Sequence, residues 1–355
     1  MSVAGRLPLL AAGMLSLVFG IGAGLARLGF EIAAPAALHG PLMGGAFLGT
    51  VISLERAVAL GALWAYGAPL ATACAGLAWS FGLPPQLGGV LLGLGGLGLV
   101  AATAAVWRRQ RELHNLVLAA GAACLAAGGA ACAAGLISEA TPAWLGFLVL
   151  TIAGERLELS RFMPPSPGAK KWFAGICLAL FLGIFLAILA PQSGWIAVAA
   201  SLLALAAWLA AKDIARRTIR EQGLTRYIAA ALLSGYLWLA IGALIALAAP
   251  EFAPGRPAWD AALHAWFLGF VFSMIFGHAP IIAPALLRVS LPYRAWFYLP
   301  LAVLHLSLAE RIVGDLIANP ATRARGAAGN AAAIALFLAA MLAAGIAGRA
   351  RSKAS

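Results

Sequence analysis

The 355-residue chain is 63% hydrophobic and only 10% charged, and its mean hydropathy of +0.96 excludes a water-soluble fold, whose core could not absorb so much apolar surface. A formal net charge of +12 would suit nucleic acid only if the basic residues clustered on a polar module. No such module interrupts the apolar runs, so the expected partner is the lipid bilayer and nucleic acid is excluded.

About 20 apolar residues at a rise of about 1.5 Å cross a bilayer core, and in chain order the sequence holds twelve such runs: Leu7 to Leu25, Ala36 to Leu54, Gly61 to Leu83, Leu87 to Val106, Asn115 to Leu136, Ala143 to Leu159, Trp172 to Ala190, Trp195 to Ala211, Tyr227 to Ala248, Ala261 to Ile282, Trp296 to Leu316 and Asn330 to Ala347. They are numbered here as spans one to twelve. Continuous apolar runs predict helices, because strands of a barrel would alternate polar with apolar residues. The expectation is an all-α integral membrane protein, residues 1–355 forming one polytopic transmembrane domain. The first run has a basic flank, as a secretory signal does, but it is longer than an h-region and ends in no small-x-small cleavage site, so it is retained as span one. Cys74, Cys124, Cys132 and Cys177 lie inside runs with no CxxC spacing and read as small packing residues.

Basic residues mark one side. Arg108, Arg109 and Arg111 follow span four, Arg161, Lys170 and Lys171 follow six, Lys212, Arg216, Arg217, Arg220 and Arg226 follow eight, Arg288 and Arg294 follow ten, and Arg349, Arg351 and Lys353 end the chain. The positive-inside rule then predicts both termini in the cytoplasm, and the expected location is the cell membrane. One outer connection breaks the rule: NPATRARG, with Arg323 and Arg325, between spans eleven and twelve.

Two of the five histidines head matching stretches, LHGPLMGG with His39 and LHAWFLGF with His264. Spans two and ten run in the same direction, so the two imidazoles fall at equal depth near the outer boundary. Each is followed by a small residue, Gly40 or Ala265, and five residues on by Gly44 or Gly269. Paired neutral imidazoles suit the two axial positions of a haem iron; the alternative is that each simply hydrogen-bonds a carbonyl or headgroup at the interface. Arg323 and Arg325 lie on the side where haem propionates would emerge and where guanidinium groups could bind them, or else they are merely solvated.

In these features the chain resembles the catalytic subunit of haem-copper oxidases and its relatives, including the NnrS family of nitric-oxide-response membrane proteins. The resemblance implies a twelve-helix bundle with inside termini, a low-spin haem on His39 and His264, and Arg323 and Arg325 near its propionates. It covers helix count and topology along the whole chain but few specific residues. Spans six and seven contain no histidine, and His264 and His278 are fourteen residues apart. Both departures argue against oxygen reduction at a haem-copper centre. What the resemblance implies is a redox or gas-responsive protein served by an electron donor or a small gas ligand.

His278 and His305 could approach within one turn of depth, and Met274 precedes His278 by four residues, as His39 precedes Met43. A His and Met set suits Cu(I) or a second haem; the alternative is polar helix packing. His114 reads as a solvated loop residue. Glu55 ends span two and Glu155 and Glu158 end span six, forming either a proton route or an inter-helix latch. Glu158 with Arg161, and Arg311 with Asp315, are spaced to neutralise each other along one helix. The intramembrane acids also support a proton-coupled secondary transporter. No catalytic residue is assigned.

Overall fold

The computed structural model describes residues 2–354, with the side chains of 162 and 349–354 outside the description, so the basic side chains expected at the chain end, Arg349, Arg351 and Lys353, lie outside what is described. In chain order the α-helices are α1 (Val3–Ala26), α2 (Leu48–Leu60), α3 (Gly67–Ser80), α4 (Pro85–Arg109), α5 (Leu113–Ala133), α6 (Thr141–Leu159), α7 (Pro167–Leu189), α8 (Pro191–Lys212), the one-turn α9 (Ala215–Thr218), α10 (Gly223–Ala248), α11 (Pro257–His264), α12 (Ser273–Leu287), α13 (Tyr298–Leu316) and α14 (Pro320–Ala354). Two π-helices complete the set, Pro41–Phe47 running into α2 and Ala265–Phe272 joining α11 to α12.

Among the described residues, ten helices are long and apolar enough to cross a membrane, which makes the chain a multi-pass membrane protein. They correspond to ten of the twelve predicted spans. The other two are also helical but differ in kind. Span three shortens to the 14-residue α3, because Gly61, at φ 70°, stops α2 and residues Leu63–Tyr66 take a 3-10 turn. Span six is α6, 19 residues long and charged at its end by Glu155, Arg156 and Glu158.

Proline sets many helix starts. Pro85 and Pro257 stand in the first turns of α4 and α11, where a missing N–H leaves no bond unmade. At α14 the same device changes the prediction: Asn319 accepts a hydrogen bond from the Thr322 N–H through Oδ1 (3.1 Å), and the helix begins at Pro320 rather than Asn330. The expected basic loop is therefore only Ile317 to Asn319, and Arg323 and Arg325 stand on the opening turns of α14.

The chain divides into two compact units, residues 1–161 with 180–194 and residues 162–179 with 195–355. In the first, α4 and α5 touch backbone to backbone: a Cβ on Gly89 would meet the backbone of Ala133, and one on Gly96 the backbone of Ala126. Small residues buy this closeness, the packing available to helices in lipid where hydrophobic attraction between them is absent. Thr50 of α2 and Thr72 of α3 add a buried hydroxyl contact at 3.0 Å. In the second unit α13 and α14 form an antiparallel hairpin with the same logic, Gly314 lying against the Arg323 backbone and Gly326 against that of Arg311.

Candidate functional site

The matched histidines share a local structure that periodicity could not reveal. His39 stands two residues before the first π-helix and His264 immediately before the second. A π-helical turn is wider than an α-turn, rare in proteins and frequently found at functional sites. Both instances are full-length segments of seven and eight residues.

In each unit the histidine is pinned through the same nitrogen. His39 Nδ1 lies 2.8 Å from the Gly20 carbonyl oxygen of α1, and His264 Nδ1 lies 2.7 Å from the Asp260 carbonyl oxygen. A carbonyl only accepts, so Nδ1 carries the proton in both neutral rings and the lone pair sits on Nε2. That is the tautomer of a metal-ligating imidazole whose other nitrogen is held by a backbone carbonyl. The His39 ring rests on α1 where the helix has no side chain: a Cβ added to Gly24 would come within 2.7 Å of its Cε1. Met43 packs on the same helix against Gly20, filling space there.

His264 also has a carboxylate neighbour. Asp260, four residues earlier on α11, puts Oδ1 3.5 Å from His264 Nδ1, accepts through Oδ2 from Arg311 Nη2 at 3.0 Å and forms an ion pair through the same oxygen with Arg323 Nη2, also 3.0 Å away. Arg323 Nε reaches Asp315 Oδ1 at 2.7 Å, and the Asp315 side chain is 1% exposed. The i, i+4 spacing of Asp260 and His264 was the signal that could have found it. Arg311 still acts on Asp315 electrostatically along α13, as expected, and cross-helix partners are added to that pair, because the hairpin glycines bring α14 close enough for Arg323 to reach in. Arg325 is held by Glu310, 2.9 Å from its Nε, and is largely exposed. Arg323, one of the two arginines expected at propionates, is thus brought beside His264, while Arg325 is turned to another carboxylate; both have acidic partners in the chain itself.

His278 follows the pattern of the first two, with Nδ1 2.8 Å from the Met274 carbonyl oxygen. The Met274 side chain turns to α10, where a Cβ on Gly235 would meet its Cε. His305 has the opposite polarity. Trp238 Nε1–H donates to His305 Nδ1 at 2.9 Å, so the proton of the neutral ring sits on Nε2, which is buried with no hydrogen-bond partner among the described residues. Held in this way, His305 offers a donor where a metal would need a lone pair.

Glu55, Glu155 and Glu158, the three glutamates expected to form a proton route or a latch, are brought together. Glu155 of α6 interacts electrostatically with Glu55 and Arg56 of α2 and with Arg156 and Glu158 on its own helix. Arg156 is buried. His114, expected in a solvated loop, is instead a buried residue at the start of α5 and lies in the field of Glu158, Glu112, Arg56 and Arg161. Its burial follows from Gly154, whose missing side chain lets α6 approach the His114 carbonyl. Among the described residues no group of three or more His, Cys, Asp or Glu side chains is placed to hold a metal ion.

The family described as a domain of unknown function, DUF8744, matches residues 6–346. The chain belongs to this family. The match takes in both π-helices, the glutamate group and the Asp260 network, so each lies within the DUF8744 region. No curated protein and no solved structure matches the chain.

Proposed function

We propose that this chain is a haem-binding redox or gas-responsive protein of the cell membrane, crossing it twelve times with both termini in the cytoplasm, and that His39 and His264 each supply an imidazole nitrogen to haem iron. The observation that supports this reading is the shared setting of the two rings. Each heads a π-helix and donates Nδ1–H to a backbone carbonyl, which leaves Nε2 as the basic nitrogen. Each ring taken by itself suits the group, since an imidazole that donates through Nδ1 has its lone pair on Nε2, and the glycine face of α1 leaves room for the His39 ring. Bound haem would supply a one-electron couple or a place for a small gas. The residues of the chain hold the rings, keep the proton on Nδ1 and surround His264 with balanced charge. An electron donor or a diatomic ligand is the partner this chemistry requires, and the resemblance to NnrS-like proteins agrees with it.

The test is a reduced-minus-oxidised optical spectrum of protein purified from cells supplied with haem precursor. The expected result is the sharp signature of low-spin bis-imidazole haem, lost on His39→Ala and on His264→Ala while both variants still insert. Protein that carries no haem under these conditions overturns the reading.

A second reading, a proton-coupled secondary transporter, is favoured by a separate observation, the gathering of Glu55, Glu155 and Glu158 around Arg56 and Arg156. Substrate-driven proton uptake into proteoliposomes, abolished by Glu155→Gln in a folded protein, would support it over haem chemistry.

A further inference from the structure

The Asp260 network joins three helices, Asp260 and His264 from α11, Arg311 and Asp315 from α13, and Arg323 from α14. Its formal charges cancel when the imidazole is counted as neutral: two carboxylates face two guanidinium groups. The balance is held in poorly solvated surroundings, with the side chains of Arg311 and Asp260 10% and 18% exposed, so that removing one charge is felt strongly by the groups that remain.

We propose that Asp260 is a positioning residue for His264, setting its tautomer and its donor strength, and that Arg311 and Arg323 hold Asp260 in place and offset its charge. The inference rests on the haem reading and deepens it. Two parts of Asp260 act on the ring. Its carbonyl oxygen takes the Nδ1 proton at 2.7 Å and fixes the tautomer; its carboxylate, 3.5 Å from the same nitrogen, adds negative charge on the side of the ring away from Nε2. A negative neighbour at Nδ1–H makes an imidazole a stronger donor through Nε2 and favours the more positive oxidation state of a metal held there. The two arginines act in the opposite sense. Loss of Asp260's charge leaves the network one unit positive, and loss of either arginine leaves it one unit negative.

This predicts shifts of opposite sign. Asp260→Asn keeps the backbone carbonyl and the shape of the side chain, so haem and its low-spin spectrum are retained while the midpoint potential rises. Arg323→Gln and Arg311→Gln lower it. Arg256→Gln, which removes one charge from the exposed pair Arg256 and Glu251, leaves it in place. Electron paramagnetic resonance of the ferric protein should register weaker axial donation in Asp260→Asn and should not change in Arg256→Gln. A network that served folding alone would loosen haem in all three inner variants and give no such ordering. If Asp260→Asn does not accumulate, the two arginine variants carry the test, and a potential unchanged or raised in both overturns the inference. Equal-sign shifts for Asp260→Asn and Arg323→Gln in haem-loaded protein overturn it too and leave the functional reading standing. Wild-type protein without haem overturns the functional reading, and the inference with it.

Discussion

Trp238 donates its indole N–H to His305 Nδ1 at 2.9 Å, joining α10 to α13 through two side chains whose partners in lipid are few. The bond depends on a close fit, since a Cβ on Gly269 of the second π-helix would run into Trp238. Trp238→Phe keeps most of the ring and removes the donor, leaving His305 with two buried nitrogens to satisfy. The expected cost is about 1–3 kcal/mol, the penalty for a buried polar group that loses its partner. Thermal unfolding in detergent measures it. Trp238→Phe with His305→Phe should cost less than the sum of the single variants, and strict additivity would show that the two side chains do not interact.

The glycine face under His39 makes a positional prediction. Gly24→Ala places a methyl group within 2.7 Å of His39 Cε1 and should displace the ring from the Gly20 carbonyl. Haem content should fall sharply while the protein still inserts. Gly22→Ala, two residues earlier, meets only Ile32 and Ala34 at 3.4 Å and 3.5 Å and should be neutral or stabilising by up to about 1 kcal/mol through helix propensity. Equal haem content in the two variants would separate His39 from the cofactor.

At the glutamate group, Glu155→Gln keeps shape and removes the ionisable carboxyl near buried Arg156. As a latch, the site should lose about 1–3 kcal/mol of stability, visible as a lower unfolding temperature, with any activity falling only in proportion to folded protein. A variant of unchanged stability whose proton coupling alone is lost would assign Glu155 to a proton route.

The α13–α14 hairpin offers a test that touches no charged side chain. A Cβ on Gly326 would meet the Arg311 backbone, which cannot rotate away, so Gly326→Ala should part the helices and weaken Arg323's hold on Asp315. The expected loss is about 1–3 kcal/mol, the usual range for overpacking. Gly345→Ala on the same helix meets only the Leu291 side chain at 3.4 Å and should be close to neutral by the same thermal assay.

Much of the helical layout was legible because apolar runs in lipid have little choice but to be helical. The helix ends were less so. Arg323 and Arg325 read as loop residues since NPATRARG is polar, yet Asn319 and Pro320 together are a helix start, and that local chemistry overrides the hydropathy of the following turns. The histidine pair was visible as a repeated pattern, but the π-helices beside it were not, because a one-residue widening leaves apolar content unchanged. Partners across long stretches of chain were the least legible. Nothing adjacent to Arg311 announces that its carboxylate stands on α11, or that Trp238 will fix the proton of His305.

The first π-helix has a consequence for how this chain can change. His39 and Glu55 ride on helical chain linked through that segment, yet the faces they present are set separately, because a wide turn between them absorbs a residue that a regular α-helix would have to pass on as a rotation of about 100°. Shortening the segment by one residue would let it relax into an α-helix that keeps His39 and Glu55 on the faces they now present. The π-helix is therefore a seam: a one-residue change of length here is taken up by the width of the turn, and neither the histidine end nor the glutamate end of this helix is redirected.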